Sequence, residues 1–524
     1  MHGKFTGKRA VQTVGCVLFC LYICIMAFWN RTLVSEPITL LLQNEFSFQD
    51  AKKMVQENYL SDRLRGKNDL ISLNGGYARL QGRTRYNEII RMTNGMLTTV
   101  ATQMMDTSGF AENLSRFSRD LNAKGIPFLF VMAPCKIPME DDLIPTGLED
   151  STNAIADQAL SELVERDVPF LDLRKDMSMT RKQVEQFFYR TDHHWNMDGC
   201  FVAFQRIMEA IQAQFPEAKT TYTDPTLWKK TVLPRWWLGS DGRRVGPLFS
   251  GVDDLDVLLP MFETKMSRYS LGVWNIKGDF RTACIREWML EQSDYFDMDS
   301  YHRYLGGGYA LTLHRYPQAE NHLKLMILRD SFMVPLECLL STELTAIDVI
   351  DPRMYDAMSE ADYVTLNSPD MVILMVFPGI FPSTYYKYYT NFGKGSTLEV
   401  IGETQWDELA VSGTPENWDY KALSARLESG KSYVLTLDQI QIDAGDPDGV
   451  QLMLYHGDEL VDQTVFDIDY GNRFGYRWGM RIPRDEADGT EYELRFYAGI
   501  GGATEGMELI YRGIRLRECE LLKP

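Results

Sequence analysis

Three nearly unbroken apolar runs, Ile126–Ala133, Leu323–Leu328 and Met371–Phe377, constrain this chain more than any other feature. A strand with one wet face alternates apolar and polar side chains, whereas a strand apolar at every position is covered on both faces. Runs this short fit strands better than helices. Val168–Leu173 and Ile347–Ile350 read as further strands. Between them lie segments with helical spacing. Leu114, Phe117 and Leu121 precede Gly125, a plausible stop, and a second helix is expected near Asn153–Glu165. A third is expected through Phe204, Met208 and Ile211, capped by Asn196 or Asp198. Strands alternating with helices predict a mostly parallel sheet with helices on both faces. Such sheets bind ligands beyond the carboxyl ends of their strands. Ser331, after Leu323–Leu328, falls at such an end, as does Pro134–Glu140.

Near residue 400 the texture changes. Lys431–Ile442, Val450–Tyr455, Leu460–Ile468, Phe474–Ile482, Tyr492–Ala498 and Met507–Leu516 are strand-like and separated by Gly, Asp and Pro turns, which predicts an antiparallel β-sandwich. The expected organisation is a tail and anchor over 1–35, an approach segment over 36–100, a catalytic unit over 101–393 with an irregular insertion around 220–320, and the sandwich over 394–524.

Val11–Trp29 carries no charge, with Lys4, Lys8 and Arg9 before it and Arg31 after it. Its length and flanks predict one transmembrane helix with a cytoplasmic N-terminus and the rest of the chain outside; a cleaved signal peptide is the competing reading. The formal charge of −19 argues against nucleic acid as a partner and against docking on anionic lipid. The five cysteines beyond the apolar stretch are widely spaced and suggest neither a disulfide scaffold nor a zinc site.

The chemistry concentrates in Thr191-Asp192-His193-His194-Trp195. In an extended segment Asp192 and His194 share a face, so the acid can accept one ring N–H and leave the other nitrogen free as a base. His193 then faces away, as a structural or pocket-wall residue. Ser331, in Arg329-Asp330-Ser331-Phe332, becomes a nucleophile once such a base takes its proton, and its own N–H with a helix N-terminus could stabilise an oxyanion. Bland alternatives stand beside each residue. Ser331 suits a helix N-cap, Asp-x-His occurs without catalysis, and the Asp-His-His cluster could instead bind a metal, although no further histidine has ligand spacing.

Together, TDHHW, the following helix and the later strand ending in RDSF resemble the DHHW proteins of the SGNH-hydrolase-like group, relatives of the alginate O-acetyltransferases. The likeness spans roughly residues 100–380 and includes Ala133-Pro134-Cys135-Lys136 with Glu140, and Ile350-Asp351-Pro352-Arg353 with Tyr355. The resemblance implies Ser331 as nucleophile, His194 as base and Asp192 as orienting acid, with no cofactor or metal. His193, Trp195, Lys136, Arg329 and Arg353 are pocket candidates. It further implies an extracytoplasmic O-acetyltransferase acting on a polysaccharide, supplied with acyl groups by a multi-spanning membrane-bound O-acyltransferase. A carbohydrate acetylesterase with the same triad, or a non-catalytic polysaccharide-binding protein, are the alternatives. In the sandwich, Tyr476 and Trp478 alternate onto one face, near Arg473, Arg477 and Arg481, and are candidates for a surface that takes an acidic glycan, against the reading that Trp478 and Phe496 are individually sandwich core. Arg329 stands where ordinary SGNH hydrolases carry glycine, and no residue matches their glycine and asparagine oxyanion donors.

Overall fold

A computed structural model describes residues 64–139, 143–271, 273–291, 295–390, 395–414, 417–445, 449–467, 477–482, 490–500 and 506–521, with shorter pieces elsewhere. An eight-stranded sheet organises the first part. Its strands are β4 (Phe128–Met132), β5 (Phe170–Asp172), β8 (Met266–Ser270), β9 (Val273–Gly278), β10 (Leu311–Arg315), β11 (Asn321–Arg329), β12 (Leu344–Ile350) and β13 (Met371–Val376), in the order β5-β4-β13-β11-β12-β10-β8-β9. The first five in that order run parallel. The last three pair antiparallel.

The apolar runs form the middle strands, and their side chains divide between two cores. Leu325 and Ile327 enter the core with the helices Met197–Gln214 and Met333–Leu340. Met326 and Leu328 enter the opposite one, with Ser108–Ala123, Thr152–Val164 and Glu360–Asn367. Burial on both faces is why no polar alternation survives in these strands. The region expected as an irregular insertion differs from that reading. It holds an antiparallel hairpin of β6 (Trp228–Trp237) and β7 (Asp253–Pro260), and it supplies β8, β9 and β10 to the main sheet. Its short strands carry polar residues on buried positions, Arg268 and His314 among them, which hides their period in the sequence.

Before the sheet lie the helix Lys67–Leu80 and a small antiparallel sheet of β1 (Arg85–Tyr86), β2 (Ile89–Arg91) and β3 (Leu97–Thr98). After it, two antiparallel sheets share one apolar core. One contains β14 (Leu398–Gly413), β16 (Ser432–Thr436), β17 (Gln439–Ala444), β20 (Arg477–Arg481) and β22 (Met507–Leu521). The other contains β15 (Tyr420–Leu427), β18 (Gly449–His456), β19 (Glu459–Asp467) and β21 (Thr490–Tyr497). Strands β14 and β15 had no clear sequence signal, being exposed along most of their length.

The expected transmembrane helix is not supported. No described helix is long and apolar enough to cross a membrane, and residues 11–16, 18, 19 and 23 of the apolar stretch lie outside the described residues. The stretch ends at a buried polar residue. Asn30 is buried, donates to the carbonyls of Met26 and Arg65, and accepts the Arg65 N–H.

Candidate active site

Ser331 follows β11 at the carboxyl end of the central strand, half-buried, in the turn that opens the helix Met333–Leu340. Asp330 fixes that turn. One carboxylate oxygen accepts the Phe332 N–H at 2.9 Å and the other the Phe377 N–H at 2.7 Å, tying the turn to the end of β13. Burial pushes the Asp330 carboxyl up to about 6, against the pull of Arg353 and both N–H groups. The first helical N–H groups are also committed, Met333 to the Asp330 carbonyl and Val334 to the Ser331 carbonyl. The expected oxyanion contribution from the helix N-terminus therefore falls away. The Ser331 N–H has no acceptor among the described residues and remains the donor at this turn.

The TDHHW segment is not the extended strand expected from its spacing; it bends. Asp192 Oδ1 accepts the backbone N–H of His194 at 3.0 Å and its ring Nδ1–H at 2.6 Å, a two-residue turn that places acid and ring together by folding back. His194 Nε2 then lies 2.7 Å from Ser331 Oγ. The bend also overturns the expected orientation of His193. Its ring lies against His194, centroids 3.8 Å apart, and its Nδ1 is 2.9 Å from Ser240 Oγ.

The helix Ser240–Val245 backs the acid. The Ser240 N–H donates to Asp192 Oδ2 at 2.7 Å, and Gly239 passes so close that a Cβ there would stand 2.3 Å from Asp192 Cβ. Asp192 and His194 are both buried. Burial lowers the His194 pKa to about 4, His193 adds to the effect, and Asp192 opposes it. Burial alone would raise the Asp192 pKa, but the adjacent His194 ring holds it well below the usual carboxylate range. The imidazole is thus neutral near pH 7 and free to accept a proton at Nε2. Asp192, His193 and His194 could together present metal ligands, their donor atoms lying within 4.8 Å of one another. Both His194 nitrogens are already engaged, by Asp192 and Ser331.

The other candidates fall in different places. Trp195 is buried, and its indole N–H donates to the Phe332 carbonyl at 3.1 Å, pinning the TDHHW segment to the turn that carries Ser331. Lys136 is buried beneath the loop, its ammonium bonded to the carbonyls of Leu97 and Arg190 at 2.6 and 3.1 Å. It is a structural clamp, withdrawn from any substrate. Arg329 is likewise buried, with Glu337 and Asp351 each 3.6 Å away. Arg353 makes a bidentate pair with Asp351 at 2.8 and 2.6 Å. Trp478 lies in the sandwich core rather than on an aromatic face, and Tyr476 lies outside the described residues. Among the described residues of the sandwich, Trp418 and Tyr420 are exposed aromatics, both packed on Tyr497.

Sequence reasoning missed Tyr301, whose ring stacks on His194 and whose hydroxyl donates to the Ser331 carbonyl at 3.1 Å. It also missed Ser240 and Asp330. Tyr301 and Ser240 sit in the irregular region with no motif around them, while Asp330 carried a signal in its position directly before Ser331.

A serine, a neutral imidazole and a buried carboxylate in hydrogen-bonded series, at the carboxyl end of a parallel sheet, have the geometry of acyl-transferring serine enzymes. Residues 95–232, which include the TDHHW segment, match the family model of the SGNH hydrolase-like domain of the acetyltransferase AlgX. The resemblance read from the motifs is thereby borne out over residues 95–232, which are similar to an SGNH hydrolase-like domain of acetyltransferase type. Similar solved structures include Bacillus cereus PatB1, with 19% identity, covering 57% of this chain and 99% of that one at a TM-score of 0.48. A DHHW family protein from Eubacterium siraeum has 14% identity, covering 59% and 96% at a TM-score of 0.44. Pseudomonas aeruginosa AlgX has 10% identity, covering 83% and 95% at a TM-score of 0.33. No curated protein matches the chain.

Proposed function

We propose that the protein is an O-acetyltransferase that acts outside the cytoplasm and moves an acetyl group onto a polysaccharide hydroxyl through an acyl-serine on Ser331. The hydrogen-bonded series from Ser331 Oγ through His194 to Asp192 carries this reading. Ser331 Oγ attacks the donor's carbonyl carbon as its proton passes to His194 Nε2. Asp192 holds the resulting imidazolium, and the Ser331 N–H faces the developing oxyanion. Collapse expels the donor's alcohol, which takes the proton back from His194, and leaves the ester on Ser331. A sugar hydroxyl, deprotonated by His194, then attacks that ester and frees the serine. The acyl group would come from a multi-spanning membrane-bound O-acyltransferase. Water in place of the sugar gives hydrolysis with the same groups.

Intact-protein mass spectrometry after mixing with an activated acetyl ester tests the acyl-serine: the mass gain of one acetyl group is expected on the parent and none on Ser331→Ala. An acetyl group retained by Ser331→Ala would overturn the assignment of the nucleophile. Acetate release without acetylated oligosaccharide would make the protein an esterase.

A further inference from the structure

Arg329 is fully buried at the end of β11, just before the Asp330–Ser331 turn, and its charge is only loosely compensated. Glu337, on the helix Met333–Leu340, and Asp351, after β12, each stand 3.6 Å away, beyond hydrogen-bond length. Asp351 is committed to Arg353. Glu337 is shared, with His314 Nε2 3.6 Å from its other oxygen. The Arg329 Nε and both Glu337 carboxylate oxygens are buried with no partner within hydrogen-bond length. Burying a guanidinium costs stability, and close pairing would offset most of that cost. The fold forgoes such a pair here.

What the guanidinium does reach is backbone. Nη2 donates to the Tyr309 carbonyl at 3.3 Å and Nη1 to the Asp330 carbonyl at 3.4 Å. The Arg329 carbonyl accepts from the Tyr389 hydroxyl at 2.8 Å, so the residue is held at its backbone and at its tip. The Asp330 carbonyl belongs to the same peptide unit as the Ser331 N–H. It also accepts the Met333 N–H at 3.3 Å, so two donors, one of them cationic, meet the oxygen end of that peptide. A trans peptide is planar and sets its C=O and N–H antiparallel. Donors on the oxygen therefore aim the N–H the opposite way, and positive charge at the oxygen makes it a stronger donor. The next N–H in the turn, that of Phe332, is taken by the Asp330 carboxylate. That of Ser331 has no acceptor among the described residues.

We propose that Arg329 is a positioning residue that aims and polarises the Asp330–Ser331 peptide for the oxyanion formed at Ser331. As Ser331 Oγ bonds to the ester carbonyl carbon, its proton passes to His194 Nε2 and the carbonyl π electrons move onto oxygen. The Ser331 N–H takes that oxygen, and the Arg329 guanidinium meets the new charge through the peptide. When the carbon–oxygen double bond re-forms, the leaving alcohol takes the proton from His194 and the guanidinium is unchanged. Hydrogen bonds in series reinforce one another in a dry site. Loose pairing with Glu337 and Asp351 suits this role, because a tight pair would cancel the field at the Asp330 carbonyl. The assignment rests on the acyl-serine reading of Ser331.

Hydrolysis of para-nitrophenyl acetate by the whole protein, together with inhibition by phenylboronic acid, reads the effect. A boronic acid bound to Ser331 is tetrahedral and anionic, so its affinity reports the oxyanion site without turnover. Arg329→Gln removes the charge and should lower kcat about 10- to 100-fold with KM within about twofold. Phenylboronic acid should weaken by the same factor. Arg329→Lys keeps a cation and should recover most of both losses. Glu337→Gln breaks the same buried pair from its other side. It should lower the unfolding temperature as Arg329→Gln does, yet keep boronate affinity within about threefold of the parent. Equal loss of boronate affinity in Glu337→Gln and Arg329→Gln would show a merely structural role and overturn the proposal. A fall in kcat with unchanged boronate affinity, or an Arg329→Gln variant that behaves like the parent, would do the same. If Arg329→Gln does not fold, Arg329→Lys decides: its kcat and boronate affinity are expected to move together, and their separation overturns the proposal. A parent that neither hydrolyses the ester nor binds the boronate overturns the acyl-serine reading itself, and this assignment falls with it.

Discussion

The Tyr301 ring lies flat on the His194 imidazole, 3.7 Å between centroids and 9° between planes, while its hydroxyl donates to the carbonyl of Ser331. One side chain from the irregular region thus supports the proposed base and the backbone of the proposed nucleophile together. Tyr301→Phe keeps the stack and loses the hydrogen bond, and is expected to cost about 1 kcal/mol of stability with a modest fall in kcat. Tyr301→Ala loses both and should cost about 3–5 kcal/mol. Denaturant titration and acetyl ester hydrolysis read the pair; equal effects would show that the stack contributes nothing.

Asp192→Asn leaves the shape of the turn but removes the charge opposite the ring and can present the wrong hydrogen-bonding atom to Nδ1. A loss of about ten-thousandfold in ester hydrolysis is expected, with a native circular dichroism spectrum. Activity within tenfold of the parent would remove Asp192 from the series.

The pH profile follows from the lowered His194 pKa. Below about 4 the ring is protonated and has no lone pair for Ser331, so kcat/KM should fall through an acid limb near pH 4 rather than near 6.5. His193 contributes to that depression, so His193→Gln should move the limb upward. The sign carries into stability. Between about 4 and 6.5 the unfolded chain binds the His194 proton and the folded one does not, so this group's contribution makes stability rise with pH across that window. A limb near 6.5 in the parent would contradict the burial of the ring.

Gly239 has ordinary dihedrals, φ −69° and ψ 174°, so its requirement is for space alone. Gly239→Ala should displace Asp192, destabilise the fold by about 1–3 kcal/mol and lower kcat more than it raises KM. Unchanged kinetics would mean that the Ser240 helix can retreat.

Trp478 belongs to the sandwich core with Leu435 and Leu516. Trp478→Ala should cost about 3–5 kcal/mol in chemical denaturation. A change within 0.5 kcal/mol, the range usual for a surface substitution, would return Trp478 to the surface.

Much of the sheet was legible in the sequence because burial on both faces is written locally, residue by residue. Ile126–Ala133 and Met371–Phe377 became adjacent parallel strands, and Asn196 caps the helix expected after TDHHW. The strands of the 220–320 region were not legible. Arg268 and His314 occupy buried positions there and are held by partners distant in the chain, which removes the apolar period. Trp478 stayed open between core and surface in the sequence, since an aromatic beside arginines looks the same whether its ring faces core or solvent.

By itself, the sequence determined the local chemistry: an acid two residues from a histidine, a serine at a strand end, and strands too apolar to lie anywhere but inside. Tertiary structure decided which of these meet. Parallel pairing of β11 and β13 and the docking of Trp195 on Phe332 bring His194 to Ser331 across 137 residues. It also decided that TDHHW bends rather than extends, and that Tyr301 and Ser240 complete the site. Periodicity is a property of neighbours along the chain. Contact between distant segments depends on sheet register and loop closure, which no short motif records.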